Sequence, residues 1–332
     1  MLCLMWCGKR REAGVMDWWL MLVPFVAVLL DMLAGDPACL PHPVRAVGRL
    51  ADMVERRVRG YGSSVRMGAL AAGLVVLPVA VVVWGLCALP VAGALATLYF
   101  AYAGLALGSL LKEGEAALAA VQHGTLEEAR HAVGMLVSRD TSAMNRDELY
   151  RSLAESVSEN SNDGFVAPFF YLVLGGPVVL WVYKAVSTLD SMWGYRTGRW
   201  ASFGCAAARL DDVLAYVPAR ITAFFMLAAA RLMLVPTAFD LRGTWRRAAS
   251  DAGLMDSPNA GWPMAMAAWL LSRRMGGPAV YDGVTVNKPL LGPVTGVWRA
   301  EDIRMLLRLV RLSCVLGAWG LWLLALWLHA AL

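Results

Sequence analysis

The sequence predicts an all-α, polytopic integral membrane protein with helical polar segments on the cytoplasmic side. Three observations lead there. Hydrophobic residues make up 59% of the 332 residues and charged residues only 17%, against about 25% charged in ordinary soluble domains. The apolar residues gather into runs that reach the roughly 20 residues a bilayer crossing needs. Fourteen tryptophans are a heavy load of a side chain that prefers the membrane–water boundary.

Trp18 to Ala34 form the first apolar run, interrupted only by Asp31, and predict a span at about residues 17–34. Lys9, Arg10 and Arg11 precede it as in a signal-peptide n-region. With no A-x-A cleavage site and with Asp31 inside, it reads as an uncleaved span. Residues 1–15 are expected to be an extension outside the functional domain, Met16 being an equally good start, and residues 16–332 a single membrane domain. Met67 to Leu111 carries no charge, which predicts two spans, 68–88 and 91–111, turning at Pro90. Residues 312–330 predict a fourth. Two segments are left open. Residues 164–183 are uncharged, but Gly175-Gly176-Pro177 predicts a broken or re-entrant helix, tolerated at membrane depth only under protein cover or beside a cavity. Residues 221–239 are apolar except for Arg231, which is costly in lipid unless paired or snorkelling.

If only the four clear spans cross, blocks 35–66 and 112–311 share one side. Block 35–66 holds six arginines, more than the N-terminal tail, so the positive-inside rule places that side in the cytoplasm. The net charge of +5 is then explained by lipid headgroups and topology, not by nucleic acid. Six cysteines, at 3, 7, 39, 87, 205 and 314, form no CxxC pair, so neither a metal cluster nor a disulfide framework is expected.

The polar blocks hold the chemistry. Asn145 and Glu148 have the spacing of a capping box, which predicts a helix start. On that helix Glu155 and Glu159, four apart, share one face, with Asn160 and Asp163 following before Gly164. This is a solvated acidic face or, set against an apolar segment, oxygen ligands for Mg²⁺. Arg209, Asp212, Tyr216 and Arg220 fall on one face of another helix, next to Asp211. That pattern fits ion pairing and phosphate holding equally. Pro41-His42-Pro43 excludes regular helix and sets His42 in an extended loop. Residues 256–263, Gly276-Gly277-Pro278, Tyr281 and Lys288-Pro289 read as turns. No GxxxxGK[ST], HExxH or GxSxG motif occurs.

Several stretches taken in order are more specific than any alone. They are Leu30-Asp31, Gly35-Asp36-Pro37, Pro41-His42-Pro43-Val44-Arg45, Arg139-Asp140-Thr141 and Glu155-Ser156-Val157-Ser158-Glu159-Asn160. Asp163-Gly164, Thr188-Leu189-Asp190-Ser191-Met192, Gly194-Tyr195-Arg196, Ala208-Arg209-Leu210-Asp211-Asp212, Pro218-Ala219-Arg220 and Ser257 to Pro263 follow. From about Leu30 to Arg308 the chain resembles the CobD/CbiB family of cobalamin-biosynthesis membrane proteins, the adenosylcobinamide-phosphate synthases.

The resemblance implies a carbon–nitrogen ligase of the cell inner membrane. It would join aminopropanol or its O-phosphate to adenosylcobyric acid, with ATP as co-substrate, Mg²⁺ as cofactor, and late-pathway cobalamin enzymes as possible partners. Within that frame Glu155, Glu159, Asp163 and Asp190 are assigned to the metal, and Arg139, Arg196, Arg209 and Arg220 to phosphates. Asp140, Asp212 or His42 would serve as base. Asp36, Arg45, Asn160, Asn259 and Trp262 would contact substrate, and Trp193 and Trp200 could stack on the corrin. A transporter or a scaffold for late corrinoid-pathway enzymes is the alternative.

Overall fold

The computed structural model describes residues 15–37, 42–194, 202–237, 240–281 and 283–331. In chain order the elements are α1 (Val15–Ala34), α2 (Pro43–Arg59), α3 (Val65–Cys87), α4 (Ala92–Ala103), α5 (Leu107–His123), α6 (Leu126–Gly134) and α7 (Arg146–Ser161). A π-helical turn, Asn162–Val166, leads into α8 (Ala167–Trp193), then α9 (Cys205–Leu232), α10 (Leu241–Ala252) and α11 (Gly261–Leu271). An antiparallel hairpin, β1 (Met275–Tyr281) and β2 (Val284–Leu291), precedes α12 (Ala300–Ala331).

Among the described residues five helical stretches are long and apolar enough to cross a membrane: Val65–Cys87, Ala92–His123, Arg146–Trp193, Cys205–Leu232 and Ala300–Leu328. The chain is a multi-pass, essentially all-α membrane protein. The shorter apolar helix Met21–Ala34 lies within the first expected span. Both segments left open in the sequence lie in apolar helices of crossing length. The second was drawn too late. Its helix starts at Cys205 and stops at Leu232, before Leu234 turns to a left-handed φ of 52° and Pro236 follows.

The chain divides into two compact units. The first comprises Met1–Gly108, Ala167–Ala215 and Gly320–Leu332. Here α3 packs on α2, α4 and α8, and α1 packs on α4. Large aromatic side chains fill the contacts, and their polar atoms find partners. Trp181 Nε1 donates to the Phe100 carbonyl at 2.8 Å, and Trp322 Nε1 to the Met21 carbonyl at 3.0 Å. The break foreseen in α8 is present: Gly175 and Gly176 leave helical geometry, at φ −154° and 72°, immediately before Pro177. The loop expected around His42 is shorter than the prolines suggested. Pro43 opens α2, because its fixed φ suits a first helical position, and His42 is the cap, its Nδ1 accepting the Val44 N–H at 3.3 Å.

Asp31 is fully enclosed. Its carboxylate caps the start of α5, accepting N–H groups from Leu107 at 2.9 Å and Gly108 at 3.3 Å. A Cβ at Gly108 would overlap the Asp31 carbonyl. Gly108→Ala is therefore expected to cost about 1–3 kcal/mol through overpacking. A lower melting temperature of the detergent-solubilised protein would show it; an unchanged melt would mean that α1 and α5 are not in such close contact.

The second unit comprises Ser109–Val166 and Tyr216–Trp319. In it α11 packs against α7 and α10, and the hairpin rests on α7, α10 and α11. Asp251 ties these together, its Oδ2 accepting Trp269 Nε1 and the Gly292 N–H, each at 2.7 Å. The hairpin corrects an expectation. Gly276-Gly277-Pro278, Tyr281 and Lys288-Pro289 were read as turns, but they lie inside paired strands. Gly276 and Gly277 take φ of 84° and 89° at a register shift following Met275. They form a bulge within a strand, not its end. Val280, Thr285 and Val286 supply the β-branched residues that keep the pairing extended.

Candidate active site

Charged side chains meet along α7. The capping box sets its first turn as the sequence predicts: Asn145 Oδ1 accepts the Glu148 N–H at 3.0 Å, and Glu148 Oε2 accepts the Asn145 N–H at 2.9 Å. From that start, Arg151, Glu155 and Glu159 recur every fourth residue and form one stripe. The hairpin packs on α7.

Glu155 is 1% exposed, and both its oxygens are engaged. Oε1 accepts the Gly276 N–H at 2.7 Å, with Arg151 Nε 4.0 Å away. Oε2 is ion-paired with Arg139, which also donates to Ser152 Oγ at 3.3 Å. Burial works against the Arg139 charge, but the Glu155 carboxylate beside it prevails and holds the guanidinium above its ordinary range. The loop carrying Arg139 is itself fixed to β1, through the Asp140 N–H donating to the Val280 carbonyl at 2.8 Å.

Beyond Glu159 the helix widens into the π turn, a device common at functional sites. Asn162, 2% exposed, donates from Nδ2 to Asp163 Oδ1 at 2.7 Å and accepts the Thr222 hydroxyl at 3.0 Å. This buried relay orients Asp163. The charges acting on Glu159 are those of Asp163 first, then Lys288, Glu155 and Arg139. Lys288 sits on β2 opposite Gly277, its Nζ 5.2 Å from the Tyr281 ring centre. Four of the candidates, Arg139, Glu155, Glu159 and Asp163, thus belong to one cluster. Arg151 and Lys288 join it without having been foreseen.

Among the described residues no group of three or more His, Cys, Asp or Glu side chains is arranged to hold a metal. Glu155 does not suit that role, since its oxygens already answer two arginines and a backbone N–H. Glu159 and Asp163 do suit Mg²⁺, which is commonly held by one or two carboxylates with substrate phosphates and water completing its shell.

The remaining candidates fall elsewhere. Asn160 turns back on its own helix, donating to the Ser156 carbonyl at 3.0 Å. Asp140 is exposed, and the Ser142 N–H at 2.8 Å holds its carboxyl below the usual range. Also in the second unit, Arg220 lies 3.4 Å from the Tyr216 ring centre and 4.9 Å from that of Trp262. It donates to the Tyr216 carbonyl at 2.6 Å and to Asn259 Oδ1 at 3.3 Å. Trp262 in turn meets Trp245 at 5.2 Å between ring centres.

In the first unit His42 Nε2 pairs with Asp36 at 3.3 Å, and Arg45 is exposed in the first turn of α2. Asp190 lies in the last turn of α8, and Arg209 and Asp212 on α9. Trp193 is fully enclosed, its ring 5.2 Å from that of Phe203. Arg196 and Trp200 lie outside the described residues.

The family described as CobD/Cbib protein matches residues 24–310. The chain belongs to this family. The matched stretch of this CobD/CbiB protein contains the whole α7 stripe, the π turn and the hairpin. Cobalamin biosynthesis protein CobD of Streptococcus sanguinis is 36% identical over 300 residues, covering 88% of this chain and 93% of the relative. That of Geobacter metallireducens is 39% identical, covering 81% and 86%. Cobalamin biosynthesis protein CbiB of Salmonella typhi is 36% identical, covering 88% and 93%. No solved structure matches the chain.

Proposed function

We propose that this CobD/CbiB protein acts in cobalamin biosynthesis as an ATP-dependent amide ligase. It would join aminopropanol or its O-phosphate to a propionate carboxyl of adenosylcobyric acid, at the cytoplasmic face of the membrane. The observation that carries this reading is the convergence of Arg139, Arg151 and Lys288 on Glu155, Glu159 and Asp163, in a family whose curated members are named for cobalamin biosynthesis.

A carboxylate does not condense with an amine in water until it is activated. Transfer of the γ-phosphoryl group of ATP to a carboxylate oxygen of the corrinoid releases ADP and leaves an acyl phosphate. The amine nitrogen then attacks the acyl carbon, inorganic phosphate departs, and a base takes the proton from nitrogen. Such transfers are chiefly positioning and charge neutralisation. Glu159 and Asp163 would hold Mg²⁺, whose contribution is neutralisation of phosphate charge. Arg139 is committed to Glu155 and sets the cluster's geometry.

Of the three candidate bases Asp140 is the poorest, since a base working near neutrality needs a higher pKa than its Ser142 contact allows. In this reading Arg220 builds an aromatic wall with Tyr216 and Trp262 for the corrin instead of holding phosphate, because its donors already meet protein carbonyls.

The test is to incubate membranes containing the protein with adenosylcobyric acid, Mg²⁺ and either amine, with and without ATP. Mass spectrometry should find the amide only with ATP. Absence of product from both amines would sink the ligase reading. The break at Gly175–Gly176 favours a second reading, transport; product formed by detergent-solubilised protein would show that transport is not its sole activity.

A further inference from the structure

The ligase reading leaves open which groups receive the phosphates of the nucleotide. We propose that Arg151, Lys288 and the bare backbone at Gly277 bind a nucleotide polyphosphate, beside the Glu159–Asp163 pair. This inference rests on that reading for the identity of the anion, and on the geometry of the second unit for its place.

Arg151 is the first member of the α7 stripe, one turn before Glu155. The carboxylate it approaches is already satisfied, by Arg139 on one oxygen and by the Gly276 N–H at 2.7 Å on the other. Arg151 Nε stands 4.0 Å from that second oxygen and has no hydrogen-bond partner among the described residues. Arg151 therefore brings a charge that Glu155 does not need.

Its other end faces a gap in the hairpin. A Cβ built at Gly277 would lie 3.6 Å from Arg151 Nη1, in ordinary contact. The missing side chain thus leaves a space of atomic size beside a guanidinium nitrogen. Paired with Gly277 across the hairpin is Lys288, whose charge reaches Glu159 on the same α7 stripe. Two cations from separate elements consequently flank Gly277, which carries no side chain; the neighbouring Gly276 is closed off by the Pro289 carbonyl, and its N–H is taken by Glu155. Close backbone approach is the usual reason for glycine beside a phosphate.

Charge points to the same ligand. Arg139, Arg151 and Lys288 balance Glu155, Glu159 and Asp163 one for one. A divalent cation held by the last two leaves an excess of two positive charges, which suits a polyphosphate and not a neutral ligand. A guanidinium and an ammonium also divide the work as phosphate sites do: the guanidinium binds oxygens in a fork, the ammonium neutralises as a point charge.

The full-length protein in detergent with Mg²⁺ provides the test, with ATP and inorganic tripolyphosphate as separate titrants and adenosine as control. Tripolyphosphate and ATP should both bind, each displacing the other, while adenosine displaces neither. Lys288→Gln and Arg151→Gln should each weaken both anions roughly tenfold or more, the usual scale for a lost hydrogen bond to a charged group. Lys288→Arg should restore most of the affinity.

The melting temperature of each variant separates loss of fold from loss of ligand. Lys288 is half-buried on β2 and belongs to a different element from Arg151, so its variants guard against a collapse caused by changing Arg151. Failure of wild-type protein to bind tripolyphosphate, or wild-type affinity in Lys288→Gln, would overturn the site. The ligase reading is judged separately by product mass. Amide formed by Lys288→Gln with an unchanged KM for ATP removes the site and spares the ligase, whereas tripolyphosphate binding without any amide spares the site alone.

Discussion

Glu155→Ala is expected to unfold the second unit rather than merely silence it. The substitution removes the ion-pair partner of Arg139, whose side chain is 8% exposed, and strands the Gly276 N–H inside the protein. Breaking a buried ion pair from one side costs about 3–5 kcal/mol, because the remaining charge stays desolvated. The orphaned N–H adds to this, at about 1–3 kcal/mol for an unsatisfied buried group. Together these approach the whole stability of a typical domain. Glu155→Gln should be milder, since an amide oxygen can still accept from Gly276. The measurement is thermal melting in detergent, with amide exchange across residues 275–291 to follow release of the hairpin. A Glu155→Ala protein that melts with wild type would show that Arg139 has another anchor.

Glu159→Gln should do the opposite. Glu159 is half-buried, and among the described residues no backbone group depends on it in the way that Gly276 depends on Glu155. The fold is expected to survive and the melting temperature to stay close to wild type. If Glu159 and Asp163 together hold Mg²⁺ against phosphate, losing one carboxylate should lower ATP-dependent amide formation by about 100-fold or more, the scale for losing one preorganised electrostatic group. It should also raise the Mg²⁺ concentration needed for half-maximal rate. Near-normal turnover at low Mg²⁺ would remove Glu159 from the site. The pair of variants is informative because the two glutamates are alike in sequence, one turn apart on one face. Their different fates come from what the rest of the chain brings to each.

That difference marks how far local pattern reaches. The crossing helices were legible because length and lack of charge are properties of a segment alone. The start of α7 was legible because a capping box closes within four residues. The break in α8 was legible because Gly-Gly-Pro cannot continue a helix. The hairpin was misread for a related reason. Gly276, Gly277 and Pro289 carry turn chemistry, and their strand pairing appears only when both halves are aligned. The role of Asp31 was hidden as well. A carboxylate in an apolar run has no visible partner until the N-terminus of α5, 76 residues later in sequence, is found against it.

The sequence alone determined that this is a helical membrane protein, roughly where most of its apolar helices run, and which polar stretches mark it as a CobD/CbiB relative, because composition and short-range spacing suffice for each. Only the tertiary structure decided that Glu155 is a structural anchor, that Asp163 is aimed by Asn162 and Thr222, and that Arg151 and Lys288 belong beside them. The physical reason is that a carboxylate acquires its role from its partners. Those of Glu155 come from positions 139, 151 and 276, and all but the helical neighbour reach it only through folding.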